Sequence, residues 1–416
     1  MSARTVVYPA DADLVAAARL IDPTFYASDP HPVYARLRAE APVFWCEEGR
    51  FWALSKYEDV RHVGHDNTLF SSARGTLIAD GATQNAFGPH IPGAHHLMRT
   101  DPPDHGPMRK IVSRSFTPRS VKRLGDLARQ ITRDLIADID PDAVLDVVQA
   151  LSAPLTSFVI AELMGVPKSR WTEFCDWTDA AILQIDAGRD AAEHSGKVEE
   201  LLDFFRELCE ERRRHPGDDI ITDLVTGEFQ GKPLNDIDLV TYCKFLLVAG
   251  TETTRNLISH GVALLANHPD QRQLLVDEPE RIPTAVEEML RISSPVVAFC
   301  RTATADTQIR EQQIKAGDYV AMLYSSANRD EEIWEDPDRF DVTRSTARTH
   351  VAFGFGPHVC LGAGLARMEA KALFEELLAA YPRYELAGPA VNGQSTLVSM
   401  VSEQPVVFGA RALAGV

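Results

Sequence analysis

The sequence has few cysteines for its length, and their spacing carries no recognisable framework. Six cysteines are spread over 416 residues, and no C-x-x-C pair is present. A disulfide-stabilised fold and a structural zinc site both need closely spaced cysteines. The sequence therefore predicts free thiols, a reducing setting and a cytoplasmic location.

Basic residues are in the minority, and long apolar runs are absent. The 42 lysines and arginines face 60 aspartates and glutamates, which gives a net charge of −18. Nucleic-acid binding needs a basic surface, so we expect no nucleic-acid partner. No segment approaches the roughly 18 consecutive apolar residues of a transmembrane helix, and residues 1–20 lack the apolar region of a secretory signal. We therefore expect no membrane span.

Repeats, low-complexity tracts and linker-like stretches are also absent, which favours a single domain over residues 1–416. Hydrophobic residues make up 45% of the chain and charged residues 25%, an ordinary globular composition. Residue spacing predicts helices over 32–41, 56–64, 121–139, 198–213, 236–267, 283–291 and 362–380, and strands over 51–54, 295–299, 307–314 and 319–324. Because the strands do not alternate with the helices, the expected fold class is mainly α with small β-sheets.

The most specific segment places one cysteine, Cys360, among glycines just before the helix predicted over 362–380. Backbone N–H groups and the start of a helix both favour the thiolate over the thiol. Such a thiolate can be a nucleophile, for which His358 is a nearby base, or a metal ligand. Zinc would need three further ligands that the segment does not supply, whereas a single thiolate suits the axial position of haem iron. A buried cysteine beside a turn is the structural alternative.

This segment resembles the haem-binding signature of the cytochrome P-450 family. The matching pattern is Phe353-x-x-Gly356-x-His358-x-Cys360-x-Gly362, followed by Leu365-Ala366-Arg367. The resemblance covers nearly the whole chain, because four further segments match in the family's order. It implies haem b as the cofactor, with Cys360 as the metal ligand, Phe353 beside its sulfur and His358 on a haem propionate.

A second matching segment, Ala249-Gly-Thr-Glu-Thr-Thr254, lies in the long helix predicted over 236–267. A carboxylate in the apolar centre of a helix is costly unless it is paired or used, and a threonine there can return its hydroxyl to the preceding turn. The resemblance implies that Ala249 and Gly250 adjoin the haem, with Gly250 leaving space for O₂. It also implies that Glu252 and Thr253 are a catalytic acid–alcohol pair that relays protons. Many family members carry Asp in place of Glu252.

Charged pairs at helical spacing complete the resemblance. Glu288 and Arg291 share a helix face and would alone suggest a surface ion pair. In the family this pair is structural and is joined by a downstream arginine, here Arg344 or Arg339. His105 and Arg109 share a face suited to binding an anion, and the resemblance assigns them, with Arg301, to the haem propionates; the alternative for these three is a solvated or salt-bridged side chain.

Residues 109–124 carry six basic side chains and no acidic one. In an acidic chain, such a patch can attract an acidic partner; an ordinary solvated helix face is the alternative. We predict that it docks an acidic ferredoxin-type electron donor on the cysteine side of the haem. The residues predicted to form this basic patch are Lys110, Arg114, Arg119 and Lys122.

The resemblance implies a monooxygenase that inserts one atom of O₂ into a small lipophilic substrate, such as a steroid, terpenoid or lipid. No flavin or dinucleotide fingerprint follows the cysteine loop, so the electrons are expected from separate proteins, and the chain is expected to be a monomer. A peroxide-driven peroxygenase and a non-catalytic haem-binding partner protein of the same fold are the alternatives. The expected apolar pocket comprises Phe245, Val248, Ala249, Val296, Val297, Met400 and the loop 75–87.

Overall fold

Helices dominate the architecture in the computed structural model, which describes residues 11–78, 97–186 and 195–411. In chain order the α-helices are α1 Ala12–Ala17, α2 Pro23–Ala27, α3 His31–Glu40, α4 Tyr57–His65, α5 His105–Ser113, α6 Pro118–Ala137, α7 Ala153–Leu163, α8 Trp171–Asp186, α9 Ser195–Arg214, α10 Ile220–Thr226, α11 Asp236–Asn267, α12 Pro269–Asp277, α13 Ile282–Ser293, α14 Tyr324–Ala327 and α15 Ala363–Ala380. The prediction of a mainly α chain with small β-sheets is confirmed.

The longest helix, α11, begins and ends where the sequence predicts. The Asn235 side chain caps it by accepting a hydrogen bond from the Asp238 N–H at 2.9 Å. It ends at Asn267, and Pro269 opens the next helix. Because α11 packs against α7, α8, α9, α13 and α15, most of its middle is buried, whereas Ala249 is exposed.

The strands are short. They are β1 Val43–Cys46, β2 Phe51–Leu54, β3 Phe70–Ser71, β4 Leu145–Asp146, β5 Glu228–Phe229, β6 Lys232–Pro233, β7 Ala298–Ala303, β8 Thr307–Ile309, β9 Gln312–Ile314, β10 Tyr319–Leu323, β11 Glu385–Leu386, β12 Val391–Asn392, β13 Val401–Glu403 and β14 Pro405–Val407. The largest sheet has the order β1-β2-β10-β7-β3, with β10 parallel to β2 and the other pairs antiparallel.

Two strand predictions are corrected. The single strand predicted over 307–314 is a hairpin of β8 and β9, because Arg310 turns the chain with φ 50°. The strand predicted over 295–299 begins later, at Ala298, and runs on to Ala303. The second correction places Arg301 inside β7 rather than after it.

The sheet separates two apolar clusters, and a third, larger cluster lies among the helices. Along β2, Phe51 and Ala53 belong to one cluster, whereas Trp52 and Leu54 belong to the other. This is the alternation expected of a strand buried on both faces. Within the described ranges, none of the helices has the length and apolar character needed to cross a membrane.

Candidate active site

A cavity of about 1380 Å³, measured with its opening to solvent, is bounded by α11, α15, β7 and the loop that carries Cys360. The side chains that line this cavity therefore indicate what it can hold.

The loop before α15 holds Cys360 in the cavity wall. Gly354 and Gly356 have φ of 67° and 63°, a region that glycine adopts without strain. A Cβ on Gly356 would lie 2.5 Å from the carbonyl oxygen of Gly64 on α4, so this close approach requires glycine. The Cys360 N–H donates to the Phe353 carbonyl oxygen at 2.9 Å, which closes the loop.

Cys360 is surrounded by protein but exposed to the cavity. Burial raises the pKa of its thiol, and the Gly362 N–H and the charges of Arg109 and Arg367 only partly oppose the rise. The loop N–H groups thus favour the thiolate as predicted, but they do not outweigh the effect of burial on the pKa. Coordination of a metal ion would deprotonate the thiol outright.

Two neutral imidazoles adjoin this loop. The His105 and His358 rings lie 4.2 Å apart, centre to centre, and His358 Nε2 is 3.1 Å from Ser72 Oγ. Burial lowers the pKa of His358 to about 3, and the charge of Arg301 adds to the effect. Burial also lowers the pKa of His105. Both rings line the cavity and can donate hydrogen bonds without carrying charge.

Two guanidinium groups line the same cavity without an acid beside them. Arg109 Nη1 donates to the Val359 carbonyl oxygen at 2.7 Å, and Arg301 Nη1 donates to the Cys300 carbonyl oxygen at 2.7 Å. In the part of the chain that the structure describes, neither has a carboxylate partner. A guanidinium that faces a cavity and has further N–H donors available is suited to bind the carboxylates of a bound group.

This set of side chains fits an iron porphyrin. Cys360 offers one thiolate for the iron, Arg109 and Arg301 offer charge for two propionates, and the two histidines offer further donors. Within residues 11–78, 97–186 and 195–411, no group of three or more His, Cys, Asp and Glu side chains could hold a metal ion. A zinc site of the usual kind therefore has no support in these residues.

Helix α11 brings Ala249, Gly250 and Thr253 to the cavity wall. Thr253 Oγ1 donates to the Ala249 carbonyl oxygen at 2.9 Å, the local bond expected of threonine in a helix. A Cβ on Gly250 would lie 2.8 Å from Ile160 Cδ1 on α7. The glycine therefore permits close packing of α7 against α11 at the cavity.

Glu252 does not line the cavity. Its Oε1 accepts a hydrogen bond from Asn256 Nδ2 at 2.7 Å, and its Oε2 lies 2.5 Å from Arg255 Nη2. The ion-pair alternative thus describes this structure, and the expectation that both members of the acid–alcohol pair face the cavity is corrected. Only Thr253 does.

Comparison with known proteins decides the family. The family model for cytochrome P-450 matches residues 29–386. The chain is 38% identical over 402 residues to linalool 8-monooxygenase of Pseudomonas putida, which covers 94% of this chain and 98% of the relative. The chain belongs to the cytochrome P-450 family. It is accordingly a haem b enzyme and an oxidoreductase of the monooxygenase class.

Two further P-450 proteins show how far the similarity extends. Vitamin D(3) 25-hydroxylase of Pseudonocardia autotrophica is 38% identical over 400 residues, covering 94% of this chain and 97% of the relative. A Mycobacterium marinum P-450 solved in complex with pseudoionone has a TM-score of 0.84 and 32% identity, covering 93% of this chain and 97% of that one.

The P-450 pocket includes only part of the predicted apolar set. Phe245, Ala249 and Val296 line it, but Val248 and Val297 do not. Val248 belongs to the buried helical core, whereas the next residue on α11, Ala249, is exposed at the cavity. Val297 points to the opposite side of its extended segment from Val296 and joins the apolar cluster on the sheet.

Met400 is also outside the cavity wall, because it belongs to the helical core and lies against Gly393. Of the predicted loop 75–87, residues 79–87 lie outside the described residues. Several wall residues were not predicted from the sequence, namely Leu97, Met98, Leu246, Pro295 and Phe299. They carry no motif, and only the register of β7 and α11 could have indicated some of them.

Glu369 is a further wall residue that was not predicted from the sequence. It lies in α15, lines the cavity and is 2% exposed. Burial raises the pKa of this carboxyl well above its usual range. Its Oε2 has no hydrogen-bond partner among the described residues, and no sequence signal beyond its position after the cysteine loop indicates it.

The Glu288–Arg291 pair is fully buried rather than a surface pair. Arg291 Nε and Nη2 donate to Glu288 Oε2 and Oε1 at 2.7 and 2.8 Å. Arg344 Nε donates to Glu288 Oε1 at 3.2 Å. Arg339 offers only its carbonyl oxygen, to Arg291 and Arg344 at 3.1 Å each. The third member is therefore Arg344.

The basic patch lies beside the cysteine loop. A Cβ on Gly364 of α15 would be 3.9 Å from Val121 Cγ2 on α6. Arg114, however, lies 3.5 and 3.8 Å from Asp218 and Asp223, which arrive from a distant part of the chain. The expectation of a patch free of acids is corrected at Arg114. The patch residues without an acidic partner in the described ranges are Lys110, Arg119 and Lys122.

Proposed function

We propose that this P-450 oxidises a terpenoid- or steroid-like molecule, with electrons delivered by an acidic ferredoxin. The observation that carries the substrate class is the apolar wall that α11 and β7 present to the cavity. Phe245, Leu246, Val296 and Phe299 form this wall, with the Thr253 hydroxyl as a polar group among them. Apolar walls with few polar groups select lipophilic molecules.

The names of the relatives support the same substrate class. One is named for linalool, a terpenoid alcohol, and another for vitamin D(3), a compound derived from a steroid. A structural neighbour holds pseudoionone. These ligands share a branched hydrocarbon skeleton and carry no charge, which matches the apolar wall.

In the proposed reaction the chain binds and orients the substrate and supplies protons. Haem b, when bound, supplies the activation of dioxygen at an iron held by the Cys360 thiolate. Apolar side chains hold the substrate and exclude water. Rotation about χ1 would transfer the Thr253 hydroxyl from the Ala249 carbonyl oxygen to a group in the cavity. Glu252 could return a proton to this hydroxyl only after leaving Asn256 and Arg255.

Shape-dependent binding tests the substrate class. We expect terpenoids and steroids, rather than charged or sugar-like molecules, to shift the haem from low to high spin. Phe245→Ala should weaken the best of these ligands about ten-fold to 100-fold, because one aromatic side chain contributes about 1.5–3 kcal/mol of apolar contact. Val248→Ala, a truncation on the same helix outside the cavity wall, is the matched control and should leave the dissociation constant within about two-fold.

Product analysis completes this test. Oxidised product should form with NAD(P)H and a ferredoxin–reductase pair. A product formed only with added hydrogen peroxide would indicate the peroxygenase alternative. Binding without product under either condition would indicate a non-catalytic haem protein.

The proposed electron-donor site is the exposed part of the basic patch. Lys110, Arg119 and Lys122 lie on α5 and α6, which pack beside the cysteine loop. Val359 in that loop is 40% exposed, so a bound partner would approach within a short distance of the haem ligand. Cationic patches raise association rates with acidic partners.

Charge reversal tests the donor site. Lys110→Glu combined with Lys122→Glu should slow reduction by an acidic ferredoxin roughly ten-fold at low salt. Arg114→Glu should have a smaller effect, because Asp218 and Asp223 already offset its charge. Lys197→Glu, an exposed change on α9, is the control. The difference between variants should shrink as salt screens the charges; equal rates for all variants at low salt would contradict the site.

A further inference from the structure

The proposed proton donor, Glu252, shares its counter-charge with an acid on another helix. Arg255 lies one turn further along α11, with its Nη2 2.5 Å from Glu252 Oε2. Its Nη1 donates to Asp179 Oδ1 on α8 at 3.2 Å. One guanidinium therefore serves two carboxylates, and these come from two helices that pack together.

The two carboxylates differ in how much they depend on Arg255. The Glu252 side chain is 4% exposed, whereas that of Asp179 is 42% exposed. A buried charge without a partner is costly, so Glu252 needs the guanidinium more than the partly hydrated Asp179 does. The Glu252 contact is also poorly aligned, since neither Glu252 Oε2 nor Arg255 Nε makes a hydrogen bond of acceptable geometry.

Asn256 restrains the other oxygen of the same carboxylate. Its Nδ2 donates to Glu252 Oε1 at 2.7 Å, while its Oδ1 accepts from the Val401 N–H at 2.7 Å. This amide is anchored to β13 and is not shared with a competing acid. The variable restraint on Glu252 is therefore Arg255, because a second carboxylate, that of Asp179, binds the same guanidinium.

We propose that Arg255 and Asp179 are positioning residues that control when Glu252 can turn to the cavity and supply a proton to Thr253. The proposal rests on the proposed function, since it assumes the acid–alcohol relay. When the guanidinium turns fully to Asp179, Glu252 Oε2 loses its partner and the carboxylate can rotate. When Asp179 is removed or α8 moves away, Arg255 stays on Glu252. The position of α8 is thereby coupled to proton supply.

Asp179→Asn tests this coupling directly. Losing the competing carboxylate should keep Arg255 on Glu252, so the yield of product per NAD(P)H should fall roughly five-fold while hydrogen peroxide rises. The substrate dissociation constant, measured from the spin-state shift, should not change. Asp176→Asn is the matched control, because this exposed acid lies one turn earlier on α8, carries the same charge and has no bond to Arg255.

Two further measurements separate positioning from a general structural effect. In a Glu252→Gln background, Asp179→Asn should add no further loss of product yield, because the group it acts through is already changed. In the protein freed of haem, Asp179→Asn should speed amide hydrogen exchange in α8 more than Asp176→Asn does, since it cuts the tie to α11.

The outcomes distinguish this inference from the proposed function. Unchanged product yield in Thr253→Ala would overturn the relay itself. If Thr253→Ala lowers the yield of product per NAD(P)H but Asp179→Asn gives the same yield as Asp176→Asn, only the positioning role is overturned. The positioning role would also be overturned if Asp179→Asn lowered the product yield as much in the Glu252→Gln background as in the wild-type protein. Should Asp179→Asn not fold, Arg255→Lys replaces it, because one ammonium cannot serve two carboxylates in the same way; wild-type product yield there would overturn the inference.

Discussion

Cys360→Ser is expected to remove the thiolate signature from the CO difference spectrum of the reduced, haem-loaded protein and to lower monooxygenation at least about 100-fold. A serine hydroxyl does not ionise near neutral pH, so it cannot supply the anionic ligand. The loop geometry would survive, because the bond from the residue 360 N–H to the Phe353 carbonyl oxygen is made by the backbone. The spectrum and the turnover rate are measured on protein with a matched haem content.

The control for this experiment is Cys175→Ser. Cys175 is a partly buried free thiol on α8, and burial raises its pKa to about 11. Its replacement should leave spectrum and turnover unchanged. Alkylation adds a measurement on the chain itself, since Cys360 should react in the haem-free protein and be protected when haem is bound. A thiolate-type band that persists in Cys360→Ser would contradict the assigned ligand.

Much of the fold follows from local signals in the sequence. Helix α11 was predicted to its end residues from residue spacing, and in the structure an asparagine cap and a following proline mark those ends. The strand over 307–314 was wrong because its turn depends on Arg310 with φ 50°, a conformation that arginine rarely adopts and no turn motif announces. Local chemistry thus predicts elements well where caps and prolines define them.

The site residues also divide into those that a local motif predicts and those that depend on how helices pack. His358 and Cys360 belong to one motif, and His105 and Arg109 to another, so the resemblance could name them together. By contrast, the contacts of Arg255 with Asp179, and of Arg114 with Asp218, join helices that are distant in sequence. No local pattern encodes such pairs, because they depend on how helices pack.

Side-chain direction accounts for the errors in the pocket. The resemblance placed α11 and the segment before β7 at the cavity, and the structure does so too. Which residues face inward depends on the rotation of α11 and the register of the extended segment. A one-residue difference exchanges Val296 for Val297, so composition alone could not choose between them.

The buried lock around Glu288 is expected to be the most sensitive point for stability. Arg291→Met should lower the free energy of unfolding by about 3–5 kcal/mol, because it leaves a fully buried carboxylate with only Arg344 and a backbone N–H as partners. It also removes the donor to the Asn328 and Pro337 carbonyl oxygens, now at 3.0 and 2.6 Å. Denaturant unfolding measures the change.

Two companion variants show that geometry as well as charge is responsible. Arg291→Lys keeps the charge but cannot reproduce the forked bonds to Glu288 while also reaching the carbonyl oxygens, so it should retain only part of the lost stability. Arg339→Ala should change the unfolding free energy by less than about 0.5 kcal/mol, because its side chain is 62% exposed and its contribution to the lock is a backbone carbonyl. Equal stability of Arg291→Met and Arg339→Ala would show that the pair is dispensable. If Arg291→Met yields no folded protein, Arg291→Lys still gives a measurable value, and wild-type stability in it would contradict a geometric role.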